Sequence, residues 1–111
     1  EIVGDVSGRD CLLVDDMIDT GGTILAAAKA LKANGAARVI VAATHPVFSH
    51  PAVERLSDTV IDSVVVTNTL PITPDKEFAN LTVLSIAPLI AKAIAAVFYD
   101  DSVNSLFPGH A

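Results

Sequence analysis

Residues 12–23, reading LLVDDMIDTGGT, constrain this chain more than any other stretch. An apolar run meets two adjacent carboxylates, Asp15 and Asp16. Two apolar residues follow, then Asp19, Thr20, Gly21, Gly22 and Thr23, and then a segment with helical spacing. This order reads as a buried parallel strand whose acid pair marks its carboxyl end, a tight loop, and a helix N-terminus. It commits the chain to an α/β sheet layered by helices.

The loop has the parts of a phosphate cradle. Consecutive glycines reach backbone dihedrals closed to other residues and carry no Cβ, so amide N–H groups can converge on an anion. Thr20 and Thr23 add hydroxyl donors. The following helix leaves its first N–H groups unpaired and turns its positive dipole end toward the loop. No lysine or arginine lies between Arg9 and Lys29, so amides, hydroxyls or a metal must supply the attraction. Two ionised carboxylates side by side repel unless their charge is shared or hydrogen-bonded. The hydroxyls of a ribose, or Mg²⁺, would meet that need at Asp15 and Asp16. Acceptors at one end and phosphate donors at the other fit a sugar phosphate.

The rest of the chain supplies alternating strands and helices. Residues 2–7 suggest a short strand and a turn at Gly8. From residue 22 or 23 to residue 34, a stripe of Ile24, Ala27, Ala28 and Leu31 predicts a helix, closed by Gly35. Residues 38–44 (RVIVAAT) predict a second buried strand ended by His45 and Pro46, and residues 51–56 a short helix. Residues 60–67 and 81–85 predict two further strands, separated by an irregular loop at Pro71 and Pro74. The strongest helical pattern runs over residues 86–98, with Ser85 as N-cap and Pro88 in the first turn. Its stripe of Ile86, Leu89, Ile90, Ala93, Ile94, Val97 and Phe98 is expected to face the core or another subunit. Asp100 and Asp101 would oppose the dipole at its end, so they are read as opening a final short helix over residues 102–107.

Composition narrows the classes. A chain of 111 residues that is 51% apolar makes one domain with a modest core and excludes disorder. A net charge of −6 argues against nucleic acid as a partner. The single cysteine, Cys11, allows no intrachain disulfide and reads as a small core residue, which points to a cytoplasmic setting. No apolar stretch approaches the length of a membrane span, so no membrane partner is expected. His45, at a strand's carboxyl end, is open to two readings, ligand contact or a hydrogen bond to a loop carbonyl. His50 and His110 lack a Cys or second His at ligand spacing, so no zinc site is expected.

DMIDTGGT, followed later by ATHPVFS and the tail SVNSLF, resembles the ribose-phosphate pyrophosphokinase family, whose phosphoribosyl-binding signature belongs to the type I phosphoribosyltransferase fold. The resemblance covers essentially the whole chain. It implies a mostly parallel sheet flanked by helices, one phosphoribosyltransferase-like domain over residues 1–111, with residues 2–7 paired beside residues 10–14. It implies transfer of diphosphate from ATP to ribose 5-phosphate, giving phosphoribosyl pyrophosphate (PRPP) and AMP, with Mg²⁺. In such an enzyme Asp15 contacts a ribose hydroxyl with Asp16 beside it, and Asp19, Thr20, Gly21, Gly22 and Thr23 wrap the 5-phosphate. Asp15 and Asp16 are also the candidates for holding Mg²⁺, and the segment at Thr67 to Thr69 for the pocket rim.

The same resemblance implies that these residues are the C-terminal portion of a longer protein lacking here its N-terminal half. ATP-binding elements, a metal-binding histidine and a mobile basic loop would lie upstream, so no catalytic residue is assigned within the 111. It further implies a homo-oligomer, a hexamer, with a regulatory anion site at a subunit interface. Ser102 matches that site, while Asn104 stands where the family has a second serine. Two other readings share the loop: a nucleobase phosphoribosyltransferase, whose base-recognition hood is not visible, and a non-catalytic regulatory homologue.

Overall fold

The computed structural model describes residue 2 and residues 4–99. Its elements in order are β1 (Asp10–Ile18), α1 (Gly22–Ala33), β2 (Arg38–Pro46), α2 (Ala52–Leu56), β3 (Ser63–Thr67), a 3-10 turn (Pro74–Lys76), β4 (Leu81–Leu84) and α3 (Ala87–Phe98). The four strands form one sheet in the order β1-β2-β3-β4, and every neighbouring pair is parallel. Each β-to-β connection therefore crosses over, and the loops at the strand carboxyl ends collect at one end of the sheet. None of the helices among the described residues is long and apolar enough to cross a membrane.

Strand alternation puts Val39, Val41 and Ala43 of β2 and Val64 and Val66 of β3 on one face, where all are buried. The register sets Leu13 beside Val41 and Val41 beside Val64, so branched side chains stack across the sheet. Ile24, Leu25, Ala28 and Leu31 of α1 and Ala52 and Leu56 of α2 pack on this same core. Burying each such Val or Leu side chain contributes roughly 1.5–3 kcal/mol, so this layer carries most of the stability. Cys11 packs against the core half-buried, as a small apolar residue does.

The ends of α1 and β2 are tied together. Gly35, at φ +91°, closes α1: its N–H donates to Lys32 O (3.0 Å), and the Ala36 N–H donates to Leu31 O (3.0 Å). Asp62 then grips the start of β2. Its N–H donates to Val39 O (2.9 Å), its Oδ2 accepts from the Val39 N–H (2.7 Å), and Lys32 Nζ of α1 lies 2.9 Å from the same oxygen. The Val39 hydrogen bond, and after it Lys32, hold the Asp62 carboxyl below the usual carboxylate range.

Several boundaries differ from the sequence-based expectation. β1 does not stop at the acid pair but runs through Asp15 and Asp16 to Ile18, because β2 continues beside it: Met17 pairs with His45 and Ile18 with Pro46. His45 and Pro46 accordingly belong to β2. Residues 2 and 4–8 form no strand; Gly8 turns at φ +72° and donates its N–H to Gly35 O (2.8 Å), which turns the segment away from β1. β3 starts at Ser63, not at Val60, since the Val60 N–H donates to Asp58 Oδ1 (3.0 Å) and the Ile61 N–H to Asp58 O (3.0 Å) in a turn. The loop between β3 and β4 is not wholly irregular, for Pro74 opens the 3-10 turn.

The expectation of a core-facing α3 also fails for most of its stripe. Ile94 is 64% and Phe98 79% exposed, with Ile90 and Val97 exposed as well, and Ala96 is the buried residue of the helix. The opposite face of the sheet is similarly open at Leu12, Val14 and Leu84. Ser85 is not the N-cap of α3, which is Ile86 in a helical conformation, although Ser85 Oγ does accept the N–H of the helix's first residue, Ala87 (3.2 Å). The expected helix over 102–107, Ser102, Asn104 and His110 lie outside the described residues.

Candidate functional site

The loop after β1 is built from two anchors. Ile18, 1% exposed, ends the strand in the core, and its carbonyl accepts the Phe48 N–H (3.0 Å) from the loop after β2. On the other side, Gly21 adopts φ +77° and ψ 4°, a left-handed conformation, and its carbonyl accepts the Leu25 N–H (2.9 Å) that starts α1. No side chain among the described residues caps α1, so its first-turn N–H groups remain available beside the loop. A chain end with free donors and a positive dipole end favours an anion there.

The two glycines differ. Gly22 has no unusual dihedral; instead a Cβ at that position would lie 3.0 Å from Arg55 Nη1. Gly21 is needed for its conformation, whereas Gly22 leaves room for the Arg55 guanidinium. Arg55 Nη1 also donates to the Thr20 carbonyl (3.1 Å). Sequence reasoning missed Arg55, because it stands on a short helix far along the chain with no local motif to mark it.

A cleft of about 160 Å³ opens over the loop, lined by Asp15, Met17, Ile18, Asp19, Thr20, Gly21, Gly22, Thr23 and Ile24. Six of the seven sugar-phosphate candidates are thus brought together. Asp16 is not among the lining residues: neighbouring strand positions send their side chains to opposite faces, so its carboxylate points away from that of Asp15. Each acid is instead engaged along the strand, Asp15 Oδ1 accepting the Asp16 N–H and Asp16 Oδ1 the Met17 N–H, both at 2.8 Å. A grip on Mg²⁺ shared by Asp15 and Asp16 from within the cleft does not fit this arrangement. A Mg²⁺ entering the cleft would meet Asp15 and Asp19, not the Asp15 and Asp16 pair.

Asp15 also borders a second hollow of about 230 Å³ on the sheet, with Thr44 and Thr67 among its lining. There Thr67 Oγ1 donates to Thr44 O (2.7 Å), and His45 Nδ1 lies 2.8 Å from Thr69 Oγ1. His45 therefore partners a hydroxyl, which neither sequence reading foresaw. A larger hollow of about 430 Å³ lies between the β2–α2 loop and the 3-10 turn, where Glu54, Asp75 and Lys76 mix charges. Its lysine is tied to Val47 O (3.2 Å), and it shares none of the loop residues.

A family model described as the phosphoribosyl synthetase-associated domain matches residues 1–108. This chain belongs to that family. The phosphoribosyl synthetase-associated domain here is 59% identical over 110 residues to a ribose-phosphate pyrophosphokinase of Mycobacterium tuberculosis, covering 99% of this chain and 34% of that protein. It is 61% identical over 107 residues to the Streptomyces coelicolor protein of the same name, covering 96% and 33%. Among solved structures, phosphoribosylpyrophosphate synthetase from Mycobacterium smegmatis superposes with a TM-score of 0.85 at 60% identity, over 88% of this chain and 33% of that one. The fold is accordingly α/β and phosphoribosyltransferase-like. The domain spans about a third of the length of these relatives.

Proposed function

We propose that this domain holds ribose 5-phosphate for a ribose-phosphate pyrophosphokinase that transfers diphosphate from ATP to the sugar, giving PRPP and AMP. The observation that carries the reading is the cleft itself, which sets the left-handed turn at Gly21 and the uncapped start of α1 against the carboxylate of Asp15. The 5-phosphate takes the amides of the loop and the hydroxyls of Thr20 and Thr23. Asp15 accepts hydrogen bonds from ribose hydroxyls, and Asp19 stands at the loop entrance. Such a grip fixes the anomeric hydroxyl for attack on the β-phosphorus of ATP: the new O–P bond forms as the α,β-bridging bond breaks, AMP leaves, and the hydroxyl proton is lost. Mg²⁺, when bound, neutralises charge on the transferring diphosphate.

ATP as second substrate, a cytoplasmic setting and a homo-oligomer belong to the same reading. So does anion binding at Ser102 and Asn104 between subunits. In the full-length protein, ATP with ribose 5-phosphate should yield PRPP, while PRPP with nucleobases should yield no nucleotide. Asp15→Asn should weaken ribose 5-phosphate binding at least about tenfold by calorimetry, as expected when a charged acceptor is removed. Unchanged affinity in that variant, or nucleotide formation by the wild type, would reject the proposal.

A further inference from the structure

We propose that Arg55 is a positioning residue of the phosphate loop: its guanidinium turns the peptide joining Thr20 to Gly21 so that the Gly21 N–H faces the cleft, and places positive charge behind it. This rests on the reading that the cleft takes a phosphate. In a trans peptide the C=O and N–H point in opposite directions. Arg55 Nη1 holds the Thr20 carbonyl at 3.1 Å from the α2 side, so the Gly21 N–H is sent the other way. α2 is the back wall of the loop and not part of the cleft lining: a Cβ on Gly21 would meet Ala52 Cα at 3.7 Å and Arg55 Cβ at 3.8 Å. The absence of a side chain at Gly22 lets the guanidinium lie against the loop.

Charge gives the second part of the argument. The cleft is lined by Asp15 and Asp19 and by no lysine or arginine, so a dianion entering it meets like charge. Lys32 and Arg38 spend their charge on Asp62 and Asp10, whereas Arg55 forms no ion pair among the described residues. Its one hydrogen bond from Nη1 to a neutral carbonyl leaves the cation uncompensated directly behind the loop amides. Arginine suits this place because its planar fork can hold a carbonyl at a fixed angle and keep its charge at every working pH.

The test uses the full-length protein, with steady-state kinetics in ribose 5-phosphate and in ATP, and thermal melts. Arg55→Met should raise the KM for ribose 5-phosphate about tenfold while the KM for ATP stays within about twofold. Arg55→Lys should recover part of that loss, through charge without the fork. Gly22→Ala displaces the guanidinium without touching Arg55 itself, so it should raise the same KM in the wild type and add little to Arg55→Met. A wild type that binds no ribose 5-phosphate overturns the functional reading before any variant is compared. Wild-type binding with an Arg55→Met KM equal to wild type overturns the positioning role alone. So does a lower melting temperature with both KM values raised alike, the mark of a mere staple between α2 and the loop.

Discussion

Gly21 and Gly22 stand side by side and are glycines for unlike reasons, which separates stability from ligand binding. At Gly21 the backbone lies at φ +77°, where an L side chain costs roughly 1–2 kcal/mol. Gly21→Ala should therefore lower the melting temperature by several degrees, whereas Gly22→Ala, at an ordinary helical dihedral beside a displaceable arginine tip, should leave it unchanged or higher. Melts of the two variants showing equal losses would refute this division. The pattern of acid pair, spacer, third acid and Thr-Gly-Gly-Thr was enough to pick out the cleft, since six of its residues are consecutive or nearly so. The different tasks of the glycines were not legible, and neither was Arg55, 35 positions from the carbonyl it holds, because both depend on where α2 packs.

The same distinction between local and long-range information governs the strands and helices. Periodicity found all four strands and α1 and α3, because each is a local pattern of apolar residues, while α2 was read only from helix start signals. It misplaced the end of β1, since only pairing with His45 and Pro46 carries that strand past Asp15 and Asp16. It also read Val60 and Ile61 as strand, although Asp58 folds them into a turn. A stripe on α3 says that an apolar face exists, not what covers it. At the joint of α1, β2 and β3, Asp62 offers a test that depends on pH. Its folded carboxyl sits below the usual value, chiefly through the Val39 N–H, so its stabilisation is present above about pH 4 and lost as pH falls through the folded value. Asp62 and Lys32 are both partly exposed, so solvent screening leaves about 1 kcal/mol. Asp62→Asn should melt below the wild type at pH 7 and converge with it toward pH 2. Parallel curves across that range would remove the carboxylate from the account.

Taken whole, the described residues supply a cleft with free backbone donors and acidic acceptors, which on the proposed reading holds a sugar phosphate, and little with which to drive diphosphate transfer. Such transfer needs the charge of the moving group neutralised as well as the acceptor fixed in line. In this domain the cleft wall carries two carboxylates and no cation, and Arg55 faces the back of the loop and not the reaction. The overall charge of −6 adds no attraction for ATP. One sheet face and the α3 stripe are open as well, so among the described residues nothing closes over the Asp15 end to exclude water. Residues 1–111 produced alone should accordingly form no PRPP from ATP, ribose 5-phosphate and Mg²⁺ above the uncatalysed background, in a coupled assay that detects the full-length protein readily. Turnover by the isolated residues within tenfold of the full-length rate would mean that positioning alone suffices for this chemistry, against the division of labour that the acidic cleft implies.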